Sequence, residues 1–282
     1  MKKWITLLLA AMMVLSLAAC GTSEPEEADG GSDPVEVSGD VQLKILDTEY
    51  VTEDYAIAIA KDNEALLEQV NDALAALTED GSIEAVVNYY ISGEGELPAF
   101  QQDVADDAEV LTLGTSADFP PYEFYDGDDI VGIDAAVAGL IADQLGMKLE
   151  ITDMNFDAII PSVVSGKVDL GMAGLTVTDE RLETVNFSDS YSTGTQVIVV
   201  QEGSDIVDAD ALFEMIENGD DIQIGVQLGT TGDIYAMDDF GEDHVQEFAK
   251  YGDVIQALAT GKLDCVIMDN APAENYVAAI NG

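Results

Sequence analysis

The chain has 282 residues, of which 57 are acidic and 9 basic, for a formal charge of −48. That charge excludes nucleic acid and anionic membrane surfaces as partners, by repulsion. A hydrophobic content of 48% excludes a disordered acidic chain and leaves apolar material for two domains of ordinary size.

Residues 1–20 read as a signal peptide: Lys2 and Lys3, an apolar run over 4–19, then L-A-A-C. The ending resembles a bacterial lipobox, which implies a lipid on Cys20; a plain secretory signal or a single membrane anchor are the alternatives. The other cysteine, Cys265, lies in L-D-C-V-I-M and reads as a small buried hydrophobe with no disulfide partner. Residues 21–40 are Gly, Ser, Pro and acids, a disordered acidic tether.

Strands are expected at 43–46 and 55–60. An amphipathic helix at 63–77 places Leu66, Leu67, Val70, Leu74 and Leu77 on one stripe. Gly81 breaks it, a second short helix covers 83–91, and 92–109 is a polar linker around Pro98. A strand at 110–114 opens an alternating α/β run. Its loop, 115–122, holds Phe119, Pro120, Pro121 and Tyr122, and Asp134 is expected to cap a helix that closes at Gly146. A strand at 149–151, a helix at 156–164 and a strand at 168–173 lead into A-G-L-T-V-T-D-E-R, residues 173–181.

Arg181 is the only arginine in the chain. Its planar fork grips a carboxylate through two parallel hydrogen bonds, which lysine cannot copy. Thr178 is the expected N-cap, with Asp179 and Glu180 in the first turn. A surface pair between Arg181 and one of those acids is the bland alternative.

After a β-branched strand at 195–200 comes a second unit: strand 222–226, a tight loop G-T-T-G at 229–232, helix 254–259, strand 263–268 and helix 271–280. S-G-K-V-D at 165–169 and T-G-K-L-D at 260–264 echo each other, which suggests two lobes with mostly parallel sheets flanked by helices. Gly114, Gly174, Gly229 and Asp269 fall at expected strand ends, where α/β sheets bind ligands, and would line one cleft.

These pieces resemble the extracytoplasmic solute-binding proteins (family 3) of polar amino-acid ABC importers. The resemblance rests on G-T-S-A-D-F-P-P-Y-E-F at 114–124, V-G-I-D at 131–134, N-F-D-A-I-I-P at 155–161, the 173–181 motif, F-S-D-S-Y at 187–191 and M-D-N-A-P at 268–272. It implies a two-lobed α/β periplasmic-binding-protein-like fold of type II. It implies an amino acid held by Arg181 at its carboxylate, by Gly174 and Thr176, by Asp269 at its ammonium and between Phe119 and Phe156. Thr230 and Thr231 would also touch the carboxylate, and Tyr122 and Gln227 complete the expected ligand set. Core packing for the two phenylalanines, a plain turn at 229–232 and a helix N-cap role for Asp269 are the competing readings. Gln227 stands where a lysine is often found, which points away from acidic ligands and towards a polar or neutral one.

The resemblance further implies a lipid-anchored monomer on the extracytoplasmic face, passing a free amino acid to an ABC permease and its ATPase, with no cofactor, no metal and no catalytic residue. The single histidine, His244, lies in a polar acidic stretch without ligand spacing. An enzyme on the same fold, such as a prephenate- or arogenate-type dehydratase using Glu123, and an extracellular sensor module are the alternatives. One departure is order. In the family the segment like 43–91 follows the segment like 271–282, whereas here it comes first. The expectation is a circular permutant, with 56–198 as one lobe (92–109 joining the old ends) and 41–55 with 199–282 as the other. Residues 55–60 and 195–200 would be the paired strands that cross between lobes.

Overall fold

The computed structural model describes residues 41–47, 50–101, 104–105 and 107–282. The signal peptide, Cys20 and the tether fall on residues 1–40 and lie outside the described residues.

β1 (Leu43–Ile45), β2 (Val51–Tyr55) and β3 (Ala58–Ala60) open the fold. The run 55–60 is therefore two strands. At Ala56 and Ile57 the chain passes from one sheet to another, and their amides bond outside both ladders, to the Leu175 carbonyl and to Ser188 Oγ, each at 3.0 Å. α1 (Glu64–Glu79) is capped by Asn63, whose side chain accepts from the Leu66 amide, and buries Leu66, Val70, Ala73, Leu74 and Leu77 at helical spacing. α2 (Ser82–Val87) widens into a single π-helical turn, Asn88–Ser92.

β4 (Val110–Thr115) is followed by a small antiparallel sheet of β5 (Asp118–Phe119), β6 (Glu123–Asp126) and β7 (Asp129–Val131). α3 (Ile133–Leu145) is buried on every side over its first ten residues. Its N-cap is Gly132, not Asp134; the Asp134 carboxylate is drawn instead to the Gly174 amide at 3.0 Å and the Tyr191 hydroxyl at 2.7 Å. β8 (Lys148–Asp153), a 3-10 turn at Phe156–Ala158, α4 (Ile159–Val164), β9 (Leu170–Gly171), α5 (Asp179–Thr184), β10 (Val185–Phe187) and the long β11 (Ser192–Gln201) follow. The rest is α6 (Ala209–Glu217), β12 (Ile224–Gln227), α7 (Thr231–Phe240), β13 (Val245–Phe248), α8 (Tyr251–Ala259), β14 (Cys265–Asp269) and α9 (Asn270–Asn281).

One lobe is built on the sheet β10-β3-β9-β4-β8 and the other on β1-β11-β14-β12-β13, with β2 also paired to β11. The α/β cores are parallel, β4 with β8 and β9, and β12 with β13 and β14. The crossings are antiparallel: β2 runs beside the first half of β11, Tyr55 opposite Ser192 and Val51 opposite Gln196. The expected pairing of 55–60 with 195–200 is thus displaced, because β1 takes Val199 to Gln201 and β3 joins β9 and β10. The Tyr191 amide donates to the Tyr55 carbonyl at 3.1 Å and the Ser188 amide to the Ile57 carbonyl at 3.0 Å, so the two crossings are bonded along their length.

The Asn281 side chain accepts from the Leu43 amide at 2.8 Å and donates to the Leu43 carbonyl at 2.9 Å, fastening the end of α9 to β1. The linker is docked rather than loose where it is described. Phe100 lies over Gly139 of α3, leaving no room there for a side chain, and Gln101 bonds to Asp143 at 2.7 Å and to the Leu149 amide at 2.8 Å. Cys265 is fully buried with a free thiol.

Candidate functional site

The lobes meet around a nearly closed cleft, about 10 Å³ in free volume, lined by Phe119, Phe156, Ala173, Gly174, Thr176, Arg181, Gln227, Thr230, Thr231 and Asp269. Nine of the ten expected ligand residues are in it. The tenth, Tyr122, stands behind: its ring packs edge-on to Tyr55 and its hydroxyl lies 3.3 Å from Ser192 Oγ.

Arg181 is positioned from its own helix. Thr178 Oγ1 accepts from the Arg181 amide at 3.1 Å, the capping bond expected of that sequence. Only 8% exposed, the guanidinium lies over the Phe156 ring with 5.5 Å from Cζ to the ring centroid. It donates to the Thr176 carbonyl at 2.8 Å and, across the cleft, to the Gly229 carbonyl at 3.1 Å. Burial lowers its pKa, while Glu53 and Asp269 oppose that shift. No acid forms an ion pair with it among the described residues. Three of its five N–H donors remain for a ligand.

Gly174 has φ +52°, and a Cβ there would lie 2.7 Å from Phe119. The position needs glycine because the aromatic ring comes down onto the backbone. The amide is held by Asp134, whose carboxyl burial pushes up to about 6 against the hydrogen bonds from Tyr191 and Gly174. Beside it, Glu123 is fully buried, and among the described residues neither of its oxygens has a hydrogen-bond partner. Burial, then the neighbouring Asp134, raises its pKa well above the usual carboxylate value.

Asp269 occupies the N-cap position of α9, yet its side chain makes no capping bond. It accepts instead from the Tyr55 hydroxyl, and burial pushes its pKa to about 7. Tyr55 is fully buried, and its ring lies so close over β11 that a Cβ at Gly194 would fall on the phenol hydroxyl.

In the opposite wall, Thr230 caps α7: its hydroxyl accepts from the Asp233 amide at 3.2 Å and donates to the Gln227 carbonyl at 2.8 Å. Gln227, 1% exposed, donates Nε2 to the Ala249 carbonyl at 3.1 Å, which leaves its Oε1 as an acceptor. Phe119 stacks on Tyr251 across the lobes, centroids 5.6 Å apart, and the Tyr251 amide donates to Asp118 at 2.9 Å.

Four residues beyond the motif set complete the polar shell. The Glu53 carboxylate accepts from Thr176, Thr231, Gln196 and Tyr235, and Tyr55 holds Asp269. Period-two reading of T-E-D-Y offers a sign of the pair, since it puts an acid and a tyrosine on one face of a crossing strand.

A two-lobed α/β fold whose antiparallel crossings frame one buried cleft defines the type II periplasmic binding class. Residues 111–223 match the bacterial extracellular solute-binding proteins, family 3. The arginine-binding extracellular protein ArtP of Bacillus subtilis is 32% identical over 173 residues, 59% of this chain and 63% of that protein. The lysine/arginine/ornithine-binding periplasmic protein of Escherichia coli is 26% identical over 168 residues, 58% of this chain and 62% of that one. Holo ArgBP from T. maritima is 42% identical with a TM-score of 0.53, over 60% of this chain and 73% of that one. An ancestral arginine-binding protein bound to glutamine is 39% identical with a TM-score of 0.55, over 60% and 73%. The chain belongs to family 3 of the bacterial extracellular solute-binding proteins; its match spans 63% of the length of ArtP.

Proposed function

We propose that this protein captures a free α-amino acid between its lobes and delivers it to an ABC permease. One observation carries the reading: a buried guanidinium and a buried carboxylate, Arg181 and Asp269, line the same cleft. Such a pair matches the carboxylate and ammonium of a zwitterion. Phe119 and Phe156 would flank the ligand and Arg181 would hold its carboxylate, while Thr230 and Thr231 line the same cleft with hydroxyl protons given to Gln227 and Glu53. Gln227, with Nε2 committed to Ala249, offers the side chain an acceptor. That favours a side chain rich in donors, a guanidinium, an amide or an imidazole, and disfavours an acid. The named ligands of its relatives, arginine and glutamine among them, fall in that group. Glu123, on which an acid–base enzyme would rely, does not line the cleft, which favours binding over turnover.

A thermal-shift screen against the free amino acids tests this. A ligand at about 100 times its Kd stabilises by roughly 2.7 kcal/mol. Arginine, glutamine or histidine should raise the melting temperature and aspartate should not; no response to any of them would end the reading.

We also infer a lipid on Cys20 that anchors the protein on the extracytoplasmic face, and a permuted chain order. The relatives align over about 60% of this chain, and β1, β2 and β3, before the region matched by the family, supply strands to both main sheets. The Asn281–Leu43 bonds, which hold the end of α9 against β1, support the permuted order.

A further inference from the structure

Glu53 lies on β2, one of the two crossing strands, and is 5% exposed. Its Oε2 accepts from Thr176 Oγ1 at 3.1 Å, Thr231 Oγ1 at 3.0 Å and Gln196 Nε2 at 3.0 Å, and its Oε1 accepts from the Tyr235 hydroxyl at 2.8 Å. It forms no ion pair among the described residues. Thr176 belongs to one wall of the cleft and Thr231 and Tyr235 to α7 in the other, so one carboxylate gathers hydroxyls from both lobes.

An ionised carboxylate only accepts, and a hydroxyl has a single proton. The threonine protons therefore point at Glu53, away from the cleft. Thr231 Oγ1 also accepts from Gln196 Nε2 at 3.3 Å. Among the described residues nothing donates to Thr176 Oγ1, so it turns lone pairs, and no proton, to the cleft it lines. Thr176 also bridges to Tyr55 through the backbone, and the Tyr55 hydroxyl orients Asp269. Thr176 Oγ1 and Asp269 thus offer acceptors to the same cleft into which Arg181 offers donors.

We propose that Glu53 is a positioning residue that fixes this polarity: by holding the Thr176 proton it makes the hydroxyl an acceptor for the ligand ammonium, so that the amino acid enters in one orientation. The inference rests on the amino-acid reading above.

Glu53→Gln keeps size but leaves two acceptor lone pairs for four donors, which frees hydroxyl protons to turn to the cleft. Calorimetry on the full chain would compare L-arginine with δ-guanidinovalerate, which lacks only the α-amino group, and L-glutamine with glutaramate. Glu53→Gln should weaken the amino acids on the order of tenfold and leave the deamino acids within about twofold. Thr176→Val should give the same selective loss, and the double variant no more than either single one. Equal loss for both members of a pair would make Glu53 a merely structural strut and overturn the proposal, as would no loss at all. Wild-type protein that binds neither amino acid would overturn the amino-acid reading, and this inference with it. If Glu53→Gln does not fold, Thr176→Val decides: unchanged amino-acid affinity in that variant refutes an acceptor role.

Discussion

Arg181 spends two of its N–H groups on carbonyls from opposite lobes, Thr176 and Gly229, so the group proposed to bind the ligand also ties the cleft shut. Lysine in its place keeps the charge and loses the fork. Affinity for arginine should then fall about 30-fold or more, as when one partner of a buried charged pair is removed. Asp253→Asn, on the exposed side of α8, should leave it unchanged in the same titrations. Asp269 makes a second prediction. Its pKa near 7 means that a ligand ammonium must draw out a proton at lower pH. Affinity should fall by up to about tenfold per unit below pH 7, and Asp269→Asn should bind weakly but lose that dependence. Stability without ligand has the opposite sign. An acid whose pKa is raised by folding contributes most below its unfolded value of 3.8, and the contribution is lost as pH rises to about 7. Asp269→Asn should therefore melt higher than wild type at pH 8.

At the scale of elements, the legible parts were those with local causes. The stripe of α1 with Asn63 before it, and Thr178 ahead of α5, are written in neighbouring residues. Replacing Thr178 by alanine should cost about 1 kcal/mol in denaturant melts and, by loosening the Arg181 amide, also weaken binding. What sequence reading lost was set by distant partners. β9 has only two residues and exists because β3 and β4 flank it; β5, β6 and β7 are two to four residues long. The break between β2 and β3 is invisible in an unbroken apolar run, because the two halves answer to different sheets. The site divided the same way. The motif residues could be named from neighbouring sequence, whereas Glu53, Tyr55 and Gln196 take their contacts from strand pairing and Tyr235 from the packing of α7. Asp134 was found and given the wrong task, since its true partners lie 40 and 57 residues away.

For the whole molecule, the permutation reading makes 41–92 indispensable. That segment provides strands to both sheets, one of the two crossings, and the helix α1 that packs on α3. A fragment of residues 110–282 should therefore fail to give a cooperative melt or bind arginine. A chain running from 110 to 282 and then into 41–92 should do both, with a melting temperature near that of the intact protein. A folded, ligand-binding 110–282 fragment would defeat the permutation reading.

β2 is both a crossing between the lobes and the carrier of Glu53 and Tyr55. Grip and motion are therefore inherited as one trait. A substitution on this strand that alters how tightly an amino acid is held will alter how fast the lobes part, so affinity and release rate should drift together through evolution. A lineage that needed a faster-emptying carrier would find its variation on β2 rather than in the walls of the cleft.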